Sequence, residues 1–188
     1  MGERFSHPPF RYVGRVNERT LWLVGMMGAG KSSVGARLAA RLVWPFVDLD
    51  QAIEQTAGRS VAELFASEGE AGFRKREREA IEALAGTAAV VALGGGAAAQ
   101  PGVAERLLAT GTLIYLRARP ETLAARVGDD AARPLLAGLD PAARLAKIRN
   151  LLAQREPCYL RAQWVIDTDA LPAEEVSLEL ARRLGAAT

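Results

Sequence analysis

The chain has 188 residues, 49% of them hydrophobic and 24% charged, and its formal net charge is +2. These proportions are typical of one compact globular domain, exclude a chain that is disordered throughout, and suit anionic small molecules as readily as nucleic acid. Because Cys158 is the only cysteine, an internal disulfide and a cysteine-rich metal site are excluded, and we expect a cytoplasmic location.

In chain order, an irregular extension precedes alternating strands and helices. Residues 1–19 have no apolar core of the signal-peptide type, so we expect a flexible extension ahead of a single domain over residues 20–188. Apolar runs predict five strands, at Thr20–Val24, Phe46–Asp48, Ala88–Leu93, Thr112–Leu116 and Trp164–Asp167. Helical spacing and flanking prolines predict helices at Lys31–Val43, Pro101–Ala109, Pro120–Val127, Pro141–Arg155 and Pro172–Leu184. This alternation predicts an α/β fold with a parallel sheet flanked by helices.

Two longer segments interrupt the alternation. Residues 51–84 are helical in pattern and form an insertion of about thirty residues, in which a Ser60 and Glu63 capping box predicts a helix from near Val61. Residues 128–138 are polar and turn-like. The segment from Ala83 to Ala104 has no charge, but its glycines and its proline argue against a membrane span.

The segment Gly25–Ser32 matches the pattern G-x-x-x-x-G-K-[ST] between a predicted strand and a predicted helix. In such a loop the backbone N–H groups and the helix N-terminus bind phosphate, Lys31 reaches the β and γ phosphates, and Ser32 ligates Mg²⁺. The alternative is a glycine-rich turn with an incidental lysine. The predicted nucleotide contacts in the loop are Gly28, Ala29, Gly30, Lys31, Ser32 and Ser33.

Two carboxylates, Asp48 and Asp50, stand where the second strand ends. Residues i and i+2 of an extended segment share a side, so both can face a cleft beside the phosphate loop. One would hold the Mg²⁺ waters and the other would orient an acceptor hydroxyl. The alternative makes Asp50 only the N-cap of the next helix, and the spacing does not decide between them.

Three further features have a structural and a functional interpretation. The consecutive charges Arg74–Glu79 are typical of a solvated helix face. Arg133 lies in the turn-like segment. An exposed arginine is commonplace in a loop, but a mobile loop arginine is also how phosphoryl transfer obtains added positive charge. Gly94–Gly96 either end a strand or let the backbone approach a ligand closely.

Six segments together, between about Thr20 and Thr168, resemble the shikimate kinase family in order and spacing. They are GMMGAGKSSVG at 25–35, DLD at 48–50, GEAGFRKRE at 69–77, LGGG at 93–96, RPLL at 133–136 and REPCY at 155–159.

The resemblance implies a three-layer α/β/α fold with a central five-stranded parallel sheet, like that of the nucleoside monophosphate kinases. It implies ATP-dependent, Mg²⁺-dependent phosphorylation of the 3-hydroxyl of shikimate, giving shikimate 3-phosphate and ADP, in the biosynthesis of chorismate and aromatic amino acids. In this family the helical segment, about 50–84 here, binds shikimate, and the segment of about 128–138 is a lid.

The resemblance also implies residue roles. Asp50 would be the base, Lys31 and Arg133 would neutralise charge on the transferring phosphoryl, and Ser32 and Asp48 would position the metal ion. Arg126 and Arg133 would contact the nucleotide, and Glu77 would orient Arg74. The implied shikimate contacts are Asp50, Arg74, Gly94, Gly95, Gly96 and Arg155.

Two other functions compete with shikimate phosphorylation. A gluconate kinase would share the loop and the fold, although the glycine run, RPLL and the paired acceptor arginines favour shikimate. A GTPase switch is disfavoured because the chain lacks an N/T-K-x-D motif. The expected partners are ATP and shikimate alone, with no nucleic acid, no membrane and a monomeric chain.

Overall fold

A computed structural model describes residues 19–128, 135–136 and 138–186. The predictions made for residues 1–18, for most of the lid segment and for Arg133 lie outside the described residues.

The centre of the fold is a parallel sheet of five short strands. The strands are β1 (Thr20–Val24), β2 (Phe46–Asp48), β3 (Val90–Ala92), β4 (Gly111–Arg117) and β5 (Trp164–Asp167). Their order across the sheet is β2-β3-β1-β4-β5, and every neighbouring pair is parallel. All of β1 and β3 is buried, as expected of central strands with helices on both faces. The predicted parallel sheet of five strands is confirmed.

Helices connect the strands and cover the sheet. They are α1 (Lys31–Leu42), α2 (Leu49–Ala57), α3 (Val61–Leu84), α4 (Val103–Thr110), α5 (Pro120–Val127), α6 (Pro141–Tyr159) and α7 (Ala173–Arg183), with a 3₁₀ turn at Ala97–Ala99. α1 packs against α7, α5 against α6 and α2 against α3. Within the described residues, no helix combines the length and the apolarity that crossing a membrane requires.

Two predicted helix boundaries are wrong for identifiable reasons. Pro101 does not start α4, because Gly102 follows it with a φ of 77° and the helix begins only at Val103. α6 continues past Arg155 to Tyr159 although Pro157 lies in its last turn. As a result Arg155 and Tyr159, four residues apart, lie on one face of the same helix.

The start of α3 is the predicted one, and the helix then breaks once. Ser60 Oγ accepts from the Glu63 N–H at 3.3 Å and Glu63 Oε2 accepts from the Ser60 N–H at 2.7 Å, which is the capping box. Gly69 interrupts the helix with φ 69° and ψ −178°. The segment with Arg74 and Glu77 follows this break.

The register brings three strand ends to the same edge. Ala92 of β3 pairs with Leu23 of β1 on one side and with Asp48 of β2 on the other. From β1 the chain continues to β2 and β3 on one side of the sheet, while β4 and β5 lie on the other. Ligands of open parallel sheets bind at the carboxyl ends of strands where the direction changes, which here means above β1 and β3.

Candidate active site

The loop after β1 is shaped for an anion. Gly25 and Gly28 have φ values of 144° and 79°, and a Cβ on either would lie within 3 Å of a carbonyl, Leu116 O at 2.5 Å and Leu123 O at 2.9 Å. α1 begins at Lys31 with no acidic residue in its first turn and no side-chain cap from Gly30. The positive end of α1 is therefore directed at the loop without a carboxylate of its own first turn to neutralise it.

Two side chains of α1 lie at this loop. Lys31 Nζ donates to Gly25 O at 2.9 Å and to Met26 O at 3.0 Å, which places the ammonium over the start of the loop. Ser32 Oγ donates to Asp48 Oδ2 at 2.7 Å. The hydroxyl and the carboxylate that were predicted to share a metal ion are thus in direct contact.

These two oxygen ligands suit Mg²⁺. Mg²⁺ prefers hard oxygen ligands and is usually held by one or two carboxylates together with substrate phosphates. Within the described residues there is no cluster of three or more His, Cys, Asp or Glu side chains able to hold a metal ion. One hydroxyl and one carboxylate in contact are donors of the kind that can hold a metal ion together with a nucleotide.

Asp50 lies in the first turn of α2 and not in an extended segment. The prediction that Asp48 and Asp50 are related as alternate residues of a strand is wrong, because α2 begins at Leu49. The N-cap alternative is also wrong, since the capping position is that of Asp48. Asp50 is instead directed at Gly94, where a Cβ would lie 2.7 Å from Asp50 Oδ1.

The Asp50 carboxylate is in an environment that favours its protonation. Its Oδ1 atom is buried and has no hydrogen-bond partner among the described residues. Burial raises the pKa of Asp50, and the charge of Asp48 raises it further, against the opposing charges of Lys31 and Arg74. A carboxylate with a raised pKa is suited to accepting a proton from a bound hydroxyl.

The charged run of α3 is solvated only in part. Lys75 and Glu79 are exposed, whereas the Glu77 side chain is 1% exposed and the Arg74 side chain is 19% exposed. Arg74 Nη1 donates to Glu77 Oε2 at 2.6 Å, and Arg74 Nη2 donates to Glu70 Oε1 at 3.1 Å. Burial raises the pKa of Glu77, and the Arg74 guanidinium opposes that rise. The solvated-face interpretation is therefore wrong for Arg74 and Glu77.

Two guanidinium groups from different helices flank the glycines after β3. A Cβ on Gly96 would lie 2.6 Å from Arg74 Nη2, and a Cβ on Gly95 would lie 3.3 Å from Arg155 Nη1. The same Gly95 position is 3.7 Å from Gly25 O, so the glycine run and the phosphate loop are adjacent. The structure thus brings Arg74, Arg155 and the glycine run together next to the loop.

Tyr159, which was not predicted as a site residue, fixes the position of Gly95. Its hydroxyl donates to Gly95 O and lies 3.8 Å from Met26 Sδ. Burial raises the pKa of Tyr159 to about 12 despite the charge of Arg155, so the hydroxyl keeps its proton. The tyrosine is part of the REPCY segment that the sequence analysis singled out, but only Arg155 of that segment was predicted to be a site residue.

Gln100 is a second residue near the site that the sequence analysis did not predict. Its Nε2 donates to Glu77 Oε2 at 2.9 Å, and its Oε1 accepts from Arg78 Nη1 at 2.7 Å. A lone glutamine after an alanine run matches no motif, and nothing in the sequence pointed to it.

On the opposite side of the loop, Arg126 borders a cavity of about 250 Å³. Arg126 Nη1 donates to Thr168 Oγ1 at 3.1 Å and Nη2 donates to Thr168 O. The cavity lies between Ala29 and Gly30 of the loop and the turn at Leu171. The structure thus brings Arg126 next to the phosphate loop.

The fold and this site define a class of protein. A parallel sheet of this order, a phosphate loop after its central strand β1 and carboxylates at the end of the edge strand β2 are the features of a small-molecule kinase with a nucleoside-monophosphate-kinase-like P-loop fold.

Comparison with known proteins identifies the family within that class. The shikimate kinase family model matches residues 27–185. The shikimate kinase of Symbiobacterium thermophilum is 48% identical over 166 residues, covering 86% of this chain and 94% of that one. The chain belongs to the shikimate kinase family.

Solved structures agree with this assignment. The shikimate kinase of Acinetobacter baumannii, solved in complex with shikimate, is 37% identical with a TM-score of 0.82, covering 89% of this chain and 94% of that one. A gluconokinase from Sinorhizobium meliloti is 18% identical with a TM-score of 0.53, covering 91% and 94% of the two chains, and shares the fold.

Removing the charge of Asp50 is expected to stabilise the protein. Because the folded state raises this pKa above the ordinary value of 3.8, the folded state binds more protons, and stability falls as pH rises through the raised pKa. Asp50→Asn should therefore increase the free energy of unfolding by on the order of 1 kcal/mol at about pH 8, measured by urea denaturation. The gain should shrink as the pH falls and should vanish toward about pH 3, below the ordinary pKa of 3.8, where the wild-type carboxyl is protonated in both states.

Asp167→Asn is the matched control. Asp167 is exposed and paired with Arg117, which lowers its pKa, so its charge favours the folded state above the ordinary pKa. Its replacement should leave stability unchanged or reduce it slightly at about pH 8. An Asp50→Asn variant that is less stable than the wild type at that pH would contradict the conclusion that the charge of Asp50 destabilises the folded state.

Proposed function

We propose that this protein transfers the γ-phosphoryl group of ATP to the 3-hydroxyl of shikimate, giving shikimate 3-phosphate and ADP. The observation that supports this acceptor is the pair of guanidiniums, Arg74 and Arg155, against consecutive glycines beside the phosphate loop. Its relatives include shikimate kinases, and one of them was solved in complex with shikimate.

Arg74 and Arg155 would bind the carboxylate of the acceptor, and Asp50 would bind its hydroxyls. Arg74 and Arg155 are suited to a carboxylate because a guanidinium offers paired donors. Gly95 and Gly96 let the two guanidiniums lie close to the backbone, since a Cβ on either glycine would stand within 3.3 Å of a guanidinium. Asp50, directed at the neighbouring Gly94, would hold the ring hydroxyls and accept the proton of the attacking one.

The donor would be bound through the loop. The backbone of residues 28–33 and the ammonium of Lys31 would bind the phosphates, and Arg126 would lie beside the adenine. Ser32 and Asp48 would hold Mg²⁺, which when bound neutralises phosphate charge and fixes the phosphate geometry. Phosphoryl transfer requires chiefly positioning and charge stabilisation, which these residues are placed to give.

The proposal extends to the organisation of the chain. It includes a single catalytic domain over residues 20–188, a helical acceptor-binding segment at about 50–84, and a lid at about 128–138 that brings Arg133 to the phosphates. It also includes a monomeric chain whose partners are ATP and shikimate without nucleic acid. A cytoplasmic location is indicated by the use of ATP.

The decisive experiment is a coupled assay of ADP release with ATP, Mg²⁺ and either shikimate or gluconate. We expect turnover that depends on shikimate, because the two guanidiniums suit a carboxylate and Asp50 suits the hydroxyls of a small ring. Asp50→Ala should reduce turnover by roughly a hundredfold or more, the usual cost of losing a general base. A wild-type protein that is inert with shikimate, or at least as active with gluconate, would refute the proposal.

A methyl group added at Gly96 tests the acceptor site directly. Gly96 has an ordinary φ of −97°, so Gly96→Ala adds no backbone strain but displaces the Arg74 guanidinium. The KM for shikimate should rise roughly ten- to a hundredfold, while the KM for ATP stays within about twofold.

Gly102→Ala is its control. That substitution strains a positive φ of 77° in the same connection, but its Cβ meets no atom within 4 Å among the described residues. It should reduce stability without changing the KM for shikimate. Equal rises in both KM values for Gly96→Ala would count against the proposed placement of shikimate.

Arg133 is tested by turnover. If it neutralises charge on the transferring phosphoryl, Arg133→Ala should lower kcat by roughly a thousandfold while shikimate affinity, measured by calorimetry, changes little. The control is Arg149→Ala, since Arg149 is exposed and paired only with Glu121 among the contacts of the described residues. An Arg133→Ala variant with unchanged kcat would remove Arg133 from the mechanism.

A further inference from the structure

Gln100 connects the segment after the glycine run to the buried carboxylate of α3. It directly follows the 3₁₀ turn Ala97–Ala99 and is half buried. Its amide donates to Glu77 Oε2 at 2.9 Å and accepts from Arg78 Nη1 at 2.7 Å. The orientation of the amide follows from its partners, because a carboxylate only accepts hydrogen bonds and a guanidinium only donates them.

Glu77 has few other donors. The residue is 0% exposed, its Oε2 accepts from Arg74 at 2.6 Å, and its Oε1 has no partner among the described residues. A buried carboxylate is costly to keep charged unless hydrogen-bond donors compensate for the lost water. Within the described part of the chain, Gln100 is the one uncharged side chain that gives Glu77 such a donor.

Glu77 in turn holds Arg74, whose other end lies against Gly96. The Arg74 guanidinium has two carboxylate partners on α3, Glu77 at 2.6 Å and Glu70 at 3.1 Å. The Glu70 side chain is 70% exposed, whereas that of Glu77 is 1% exposed, so Glu77 is the partner that fixes the guanidinium in the site.

We infer that Gln100 is a positioning residue for the carboxylate of the acceptor: it holds Glu77 in place, and Glu77 holds the Arg74 guanidinium against Gly96. The inference rests on the proposed function and adds to it a residue outside the motifs that identify the family. A glutamine suits the task because it donates to Glu77 and accepts from Arg78 at once without adding a charge beside Glu77.

The arrangement predicts that acceptor binding weakens as the pH falls when the Gln100 hydrogen bond is missing. The charged groups that face Glu77 are Arg74 on its own helix, Asp50 on α2 and Arg155 on α6. Burial already raises the pKa of Glu77, and a donated hydrogen bond from Gln100 favours the charged form. Without that bond the pKa rises further, so Glu77 becomes protonated at a higher pH and Arg74 loses its buried partner.

The test uses the full chain with two substitutions, Gln100→Leu and Gln100→Glu, and measures kcat, both KM values and their pH profiles. For Gln100→Leu the KM for shikimate should rise about tenfold, with kcat and the KM for ATP within about twofold. The rise should be larger at about pH 6 than at about pH 9. Gln100→Glu keeps the size of the side chain but places a second carboxylate beside Glu77, so its KM should rise more.

Arg78→Ala is the matched control. Arg78 is exposed and is the other partner of Gln100, so its removal disturbs the amide without removing the donor to Glu77. Its KM for shikimate and its pH profile should equal those of the wild type. Thermal unfolding of each variant separates loss of fold from loss of positioning.

The outcomes are distinct. A wild type that turns over shikimate, together with Gln100 variants whose KM and pH profile are unchanged or whose kcat alone falls, overturns the inference and leaves the proposed function intact. If Gln100→Leu does not fold, the same-sized Gln100→Glu decides by the same criterion. A wild type that is inert with shikimate overturns the proposed function, and the inference with it.

Discussion

The register of three neighbouring strands determines where everything else in the site can lie. Ala92 pairs with Leu23 and with Asp48, so β1, β2 and β3 end at one level of the sheet. The phosphate loop, the pair of carboxylates and the glycine run each follow one of these ends. A parallel ladder thereby converts three stretches that are distant in sequence into one cleft, and no side-chain contact is needed to align them.

The cleft contains charges that oppose the folding of the chain. Glu77 is a buried carboxylate and Asp50 a partly buried one, each has one buried oxygen without a partner in the described part of the chain, and burial raises the pKa of both. Such groups reduce stability unless a ligand or a neighbouring donor compensates. The buried apolar strands of the sheet offset this cost, and the charged groups remain available for a substrate.

Local patterns predicted most of the fold, and motifs predicted the residue types of the site. The bounds of β1, β2, β5 and α5 follow from apolar runs and from a proline at the first helical position. Contacts between distant segments were not predictable in the same way. The burial of Glu77 inside a charged run depends on α3 packing against the segment after β3, and the role of Gln100 depends on the same packing. The predicted start of α4 was wrong because the left-handed conformation of Gly102 outweighed the preference for proline at the first helical position, which had favoured Pro101.

The glycines after β3 have a consequence for inhibition. At Gly94, Gly95 and Gly96 the first atom of any side chain would fall within 3.3 Å of Asp50, Arg155 or Arg74 respectively. A substitution there that kept an inhibitor out would crowd the same groups that we propose contact the substrate. For a compound that bound these guanidiniums and the backbone of these glycines, few resistance substitutions at the three glycines would therefore preserve activity.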